Sequence, residues 1–337
     1  MDDLPLSGPA GMEHMDDNLA GTLRDAYTRH VQCRDGDVAS YIPELAKVEP
    51  DRFGVAVATA EGRLYACGDA DIEFTIQSVS KAFAFCLAIE LHGRDAVMRR
   101  VGVEPSGDAF NAIVFDPKTN RPFNPMVNAG AITVAGLICE AAPGNAIGLL
   151  VERLSAAAGR PLTVDEAVYR SENETGHRNR AIGHLLYGAG ALTVPVESAL
   201  HTYFRQCSIR VTATDLARMG ATLANIGQNP VTGKQVFDLV AVRDTLALMF
   251  TCGMYNYAGN WAFNVGVPAK SGVGGGIVGV VNRQLGIGTY SPRLDDQGNS
   301  VRGIAVFQDL AADLGLHAFE FGNAGSHLLN AIVAQGR

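Results

Sequence analysis

Residues 79–91 leave little freedom in where they can sit. The run Ala82-Phe83-Ala84-Phe85-Cys86-Leu87-Ala88-Ile89 contains no charged or hydroxyl side chain. A helix built from it is apolar on every face and belongs inside the protein. The stretch that opens this helix is Gln77-Ser78-Val79-Ser80-Lys81. A lysine in the first turn of a buried helix is costly unless it is paired or used. Ser78 and Lys81 are three apart, which on a helix places their Cβ atoms about 5–6 Å apart on one face. Ser80 points about 200° around the axis from Ser78. Ser78 also stands at the helix N-terminus, where free N–H groups and the dipole favour a developing negative charge. A serine beside a buried lysine at a helix start is the arrangement of a Ser–Lys acyl-transfer enzyme. The bare S-x-x-K pattern is weak, because an ordinary N-cap serine near a solvated lysine has the same letters.

The rest of the chain bounds what that helix can serve. At 337 residues, 47% apolar and 18% charged, the chain can bury a large core in one or two domains. The net charge of −8 argues against nucleic acid as a partner. The absence of an apolar run of about 18 residues argues against a membrane span. The start, Met1-Asp2-Asp3-Leu4-Pro5, is acidic and lacks an apolar h-region. The six cysteines are scattered without a C-x-x-C. Together these predict reduced thiols and a cytoplasmic location. No H-E-x-x-H or other ligand cluster points to a metal, and no cofactor is implied.

Residues 1–16 are polar, with Pro5, Gly8 and Pro9, and are expected to be disordered. Leu19, Leu23, Ala26, Tyr27 and Val31 predict an amphipathic first helix. Phe53–Thr59 and Arg63–Cys67 predict a β-hairpin across Ala60-Glu61-Gly62. From about Val97 to Phe250 the pattern is helical, with Thr163-Val164-Asp165-Glu166 read as a capping box. Strands are expected again at Ile277–Val281, Gly286–Tyr290 and Val301–Phe307. Strands near both ends and helices between them predict one antiparallel sheet of about five strands assembled from both ends. The expected architecture is α/β (α+β). Residues 17–337 are expected to form a single catalytic domain, with an α/β part at 17–76 plus 258–337 and a helical subdomain at 77–257.

With S-x-x-K early and Lys270-Ser271-Gly272 late, near a strand, the chain resembles the serine β-lactamase and transpeptidase fold. Longer stretches narrow the resemblance. Tyr41-Ile42-Pro43-Glu44-Leu45-Ala46, Gln77–Lys81, Asn124–Ile132 and Ser171–Asn179 are four of them. Tyr203–Ser208, Cys252-Gly253-Met254-Tyr255 and Pro268–Val273 complete the set. In this order and spacing, over about residues 20–310, they resemble the serine-dependent glutaminases.

That resemblance implies hydrolysis of L-glutamine to L-glutamate and ammonia through an acyl-enzyme on Ser78, assisted by Lys81 and Tyr255. It implies an oxyanion hole from the backbone N–H groups of Ser78 and Val273. Glu172 would pair the substrate ammonium, and Tyr41, Asn128, Asn179 and Tyr203 would hydrogen-bond the substrate, with Ser78, Tyr255 and Val273 also in contact. An acid among neutral donors suits a zwitterion. It further implies a homo-oligomer, dimer or tetramer. His177 departs from the family pattern, where an acid is common, and bears on affinity rather than chemistry. Two other readings share these letters. A β-lactamase or D,D-peptidase would carry a secretory signal, and a non-catalytic sensor would be expected to lose Ser78, Lys81 or Tyr255.

Overall fold

A computed structural model describes residues 9–320, with side chains from Asn18 onward. The first helix, α1, spans Pro9–His30, and the hairpin follows as β1 (Gly54–Thr59) and β2 (Leu64–Gly68). A two-residue strand β3 (Phe74–Thr75) leads into the buried helix α2 (Ser80–His92), then α3 (Arg94–Arg100). After a long loop come α4 (Asn128–Ala141), α5 (Ala146–Ala158), α6 (Glu166–Thr175), α7 (His177–Gly188) and α8 (Val196–Cys207). Strand β4 (Arg210–Val211) pairs with β3, and α9 (Ala213–Ala224), α10 (Leu239–Cys252) and α11 (Ala258–Asn264) follow. The last described elements are β5 (Ala269–Ser271), β6 (Gly276–Val281), β7 (Leu285–Tyr290) and α12 (Val301–Leu314).

The sheet is five-stranded, in the order β2-β1-β7-β6-β5, and every pairing is antiparallel. It is made from both ends of the chain, as the pattern predicts. Alternation along the strands sorts side chains to two faces. Val55, Val57, Ile277 and Ile287 face one way and pack with Leu23, Trp261, Phe307 and Leu310, from α1, α11 and α12. Ala56 and Ala58 face the other way, into the core that contains all of the apolar run of α2. On that face Gly286 and Gly288 let α9 lie directly on β7. A Cβ at Gly286 would strike Ala221 N and Ala217 O, and one at Gly288 would strike Ala213 O. Ion pairs tie α1 to α12, Arg29 Nε to Asp309 at 2.7 Å and Arg29 Nη2 to Asp313 at 2.5 Å.

Three expectations need correction. Val301–Phe307 is not a strand but the start of α12. Ser300 caps this helix by accepting the Gly303 N–H, and Val306, Phe307, Leu310 and Ala311 are buried at helical spacing. A seven-residue window shows the β-branched residues but not the later turns that reveal the 3.6 period. The fifth strand is β5, within the Lys270-Ser271 motif itself. Second, residues 9–16 are helical, not disordered. Pro9 occupies the first helical position, where a missing N–H costs nothing, and extending a helix already anchored at Leu23 and Ala26 adds one bond per residue. The expectation for residues 1–8 lies outside the described residues. Third, α6 is capped by Asp165, whose Oδ1 accepts the Ala167 and Val168 N–H groups, not by a box on Thr163. The capping box belongs to α9, between Thr212 and Asp215.

Candidate active site

Ser78 is positioned by the chain that precedes it. The β3–β4 pairing and the Ile76 N–H to Ile209 carbonyl bond, 2.8 Å, anchor that approach. Gln77 then takes a left-handed φ of +49°, uncommon for a non-glycine residue and maintained only where surroundings enforce it. A 3₁₀ turn over Gln77–Val79 follows and runs into α2. Ser78 therefore sits one turn ahead of the regular helix, buried at 6% exposure. Ser80 is structural. Its hydroxyl donates to the Gln77 carbonyl at 2.6 Å and accepts from Gln206 Nε2 at 3.0 Å, pinning the turn to α8.

Lys81 is 1% exposed. Its Nζ donates to Asn128 Oδ1 at 2.7 Å and to the Met126 carbonyl at 3.3 Å, two neutral oxygens. Burial lowers its pKa to about 8, with charge on Cys207 and Glu172 working the other way. Asn128, the first residue of α4, is a hub. Its Oδ1 also accepts from the Tyr203 hydroxyl at 3.2 Å, and its Nδ2 donates to Asn179 Oδ1 at 3.0 Å. One amide thus joins side chains from α2, α7 and α8.

Glu172, on α6, is buried and its Oε1 has no hydrogen-bond partner. Burial raises its pKa to about 7, against a hydrogen bond from Gln77 and the charge of Lys81. Leaving a buried carboxylate oxygen unpaired is expensive, so this oxygen is a strong pointer to a ligand.

Tyr255 lies on a 3₁₀ turn after α10, also with a left-handed φ, +54°. Its hydroxyl donates to the Ser271 carbonyl at 3.1 Å, and its ring rests on Phe110 with centroids 4.6 Å apart. Burial pushes the phenol pKa up, while hydrogen bonding with Ser78 acts in the opposite direction. Val273 follows β5 in the loop before β6. At Gly272 a Cβ would lie 2.9 Å from the Ile76 carbonyl oxygen and 3.3 Å from Ser78 N. The absence of a side chain there is what lets the strand end approach the Ser78 turn.

These groups converge. Tyr41, Ser78, Asn128, Glu172, Asn179, Tyr203 and Val273 line one cavity of about 130 Å³. Tyr41, Phe110 and Val273 also border an outer groove of about 420 Å³, into which Tyr255 faces. Tyr41, at 55% exposure, marks the mouth. Every residue expected at the site faces one of these two spaces, except Lys81, which lies behind Asn128. Gln77, Phe110, Arg178 and Cys207 line the inner cavity too, and none was singled out from the sequence. Phe110 sits in a long loop with no periodic pattern, and Cys207 reads as one more core residue of α8. His177 is exposed at the start of α7 and does not line the cavity.

The model of the glutaminase family matches residues 36–319 of this chain. The chain belongs to the glutaminase family. Its sequence is 50% identical over 302 residues to a glutaminase of Trichormus variabilis, covering 90% of each. Among solved structures it is similar to Mglu in its native form, with a TM-score of 0.85 and 41% identity over 90% of this chain and 74% of that one. It is also similar to a Bacillus glutaminase, with a TM-score of 0.79 and 37% identity over 89% of this chain and all of the other. The glutaminase thus has the β-lactamase-like architecture that S-x-x-K and Lys270-Ser271-Gly272 suggested. Among the described residues, no single helix is long and apolar enough to cross a membrane.

Proposed function

We propose that this glutaminase hydrolyses L-glutamine to L-glutamate and ammonia through an acyl-enzyme on Ser78. The observation that carries the reading is the small buried cavity with Ser78 at one side and the unpartnered Glu172 oxygen at another. A substrate with an ammonium at one end and a carbonyl at the other satisfies both. The ammonium supplies the missing donor to Glu172. The Asn179 amide N–H groups and the Tyr41 hydroxyl suit the α-carboxylate, while Tyr203, whose hydroxyl hydrogen goes to Asn128 Oδ1, has lone pairs to offer the ammonium.

Lys81 supports the role of general base by its bonding. A neutral amine has two N–H groups, and Asn128 Oδ1 and the Met126 carbonyl account for both. The lone pair is then the one remaining tetrahedral position. Ser78 Oγ attacks the carboxamide carbon, and its proton passes to Lys81. The oxyanion forms between the N–H groups of Ser78 and Val273, at the helix start where the dipole favours it. Collapse of the tetrahedral intermediate breaks the C–N bond. Tyr255 gives a proton to the departing nitrogen, which leaves as ammonia, and regains one from Lys81. Water then attacks the ester carbon, with the same groups acting in reverse, and releases L-glutamate and free Ser78.

The test is ammonia release from L-glutamine by wild type and Ser78→Ala, with mass spectrometry of the wild type quenched during turnover. A mass gain of one glutamyl group on Ser78, and loss of at least 10³-fold in kcat for Ser78→Ala, are expected. Ammonia release that persists in Ser78→Ala would sink the acyl-serine route.

A further inference from the structure

Lys270 is a second fully buried amine, and the reaction above does not use it. It lies in β5 with no exposed surface. Its Nζ donates to the Ser271 carbonyl oxygen at 2.5 Å. That same oxygen accepts the Tyr255 hydroxyl at 3.1 Å. The Nζ also stands over the face of the Tyr255 ring, 4.2 Å from its centroid. A buried amine held only by a neutral carbonyl is a poor structural choice, because an apolar side chain of the same length fills the space without the desolvation cost. Tyr255 is in turn held in a left-handed backbone conformation that its surroundings must enforce.

We infer that Lys270 is a positioning residue for Tyr255: seated on the ring face and sharing the Ser271 carbonyl, its amine holds the phenol in register with Ser78. The inference rests on the part given to Tyr255 in the reaction. The Tyr255 hydroxyl is also hydrogen-bonded with Ser78, so the seat of the ring sets where the phenol can deliver its proton to the departing nitrogen. The ring is clamped between the amine on β5 and Phe110 from the long loop. Burial and the nearby Lys81 both favour the neutral amine at Lys270, so its removal takes away a contact and a donor rather than an ion pair.

A double-mutant cycle tests this. Lys270→Met, Tyr255→Phe and the double variant are compared with wild type in kcat and KM for ammonia release and in thermal unfolding. Lys270→Met is expected to lower kcat by about 10- to 100-fold, the scale of a displaced catalytic group. KM should stay within about threefold and the melting temperature should be unchanged or higher. The double variant should be no slower than Tyr255→Phe alone. Lys270→Gln, which keeps a donor for the Ser271 carbonyl, should recover part of kcat, and it takes the place of Lys270→Met in the cycle if that variant does not fold. Losses that multiply in the double variant, or a kcat that Lys270→Met leaves untouched, would overturn the inference alone. Full activity of Tyr255→Phe would overturn the role of Tyr255 and the inference with it.

Discussion

Replacing Lys81 with methionine should make the protein more stable at neutral pH and inactive. The lysine is 1% exposed, and burial lowers its pKa from 10.5 to about 8. Each tenfold change in proton affinity is worth about 1.4 kcal/mol, so charging this amine in the folded state costs about 3 kcal/mol relative to the unfolded chain. Methionine removes that cost and fills nearly the same volume. It also deprives the Met126 carbonyl of a donor, which costs about 1–2 kcal/mol. Asn128 Oδ1 keeps the Tyr203 hydroxyl. The net gain is about 1–2 kcal/mol, or roughly 2–3 °C in melting temperature for a chain this long. The sign with pH follows from proton binding. Below about pH 8 both states of the wild type carry the proton and the full cost is present. Between about pH 8 and 10.5 the unfolded lysine binds a proton that the folded one lacks, so wild-type stability rises with pH through that window. The advantage of Lys81→Met should therefore shrink from pH 7 to pH 10. Thermal unfolding at both pH values, alongside ammonia release at pH 7, measures each part. A variant that melts several degrees below wild type at pH 7, or an advantage that does not change with pH, would refute the reasoning.

Burial raises the pKa of Glu172 to about 7, and only its ionised form can pair an ammonium. KM for L-glutamine should fall as pH rises from 6 to 8, while Glu172→Gln should lose that trend and raise KM by about 10- to 100-fold, the value of a buried charged hydrogen bond; steady-state kinetics across pH reads both. Gly253→Ala should destabilise the enzyme by about 3 kcal/mol and reduce kcat with it, because a Cβ there strikes the Ala269 carbonyl and lies 2.5 Å from the Met249 carbonyl oxygen, two residues before Tyr255; an unchanged melting temperature would contradict the packing described.

Much of this protein was legible before any coordinates. The apolar run after Ser78 could only be a buried helix, because no face of it tolerates water. The hairpin over β1 and β2, and the strands β6 and β7, are short apolar runs bounded by turn residues, which belong to a sheet. The blocks around Ser78, Glu172 and Tyr255 resemble those of one family, and the fold brings the first two to the inner cavity and Tyr255 to the outer groove that shares Tyr41, Phe110 and Val273 with it. Tertiary structure decided the rest, because the deciding forces act between residues far apart in sequence. Val301–Phe307 has strand-like letters but becomes a helix, since the face formed by Val306, Phe307 and Leu310 packs on the sheet. The left-handed turns at Gln77 and Tyr255 have no local signal, as neither residue favours that conformation by itself. That Lys81 bonds Asn128, that Asn128 joins Tyr203 to Asn179, and that Lys270 shares a carbonyl with Tyr255 all depend on how distant elements meet. The sequence by itself determined which helix is buried and that a lysine is buried with it. The tertiary structure determined which oxygens hold that lysine, and how complete the burial is that lowers its pKa to about 8 close to Ser78.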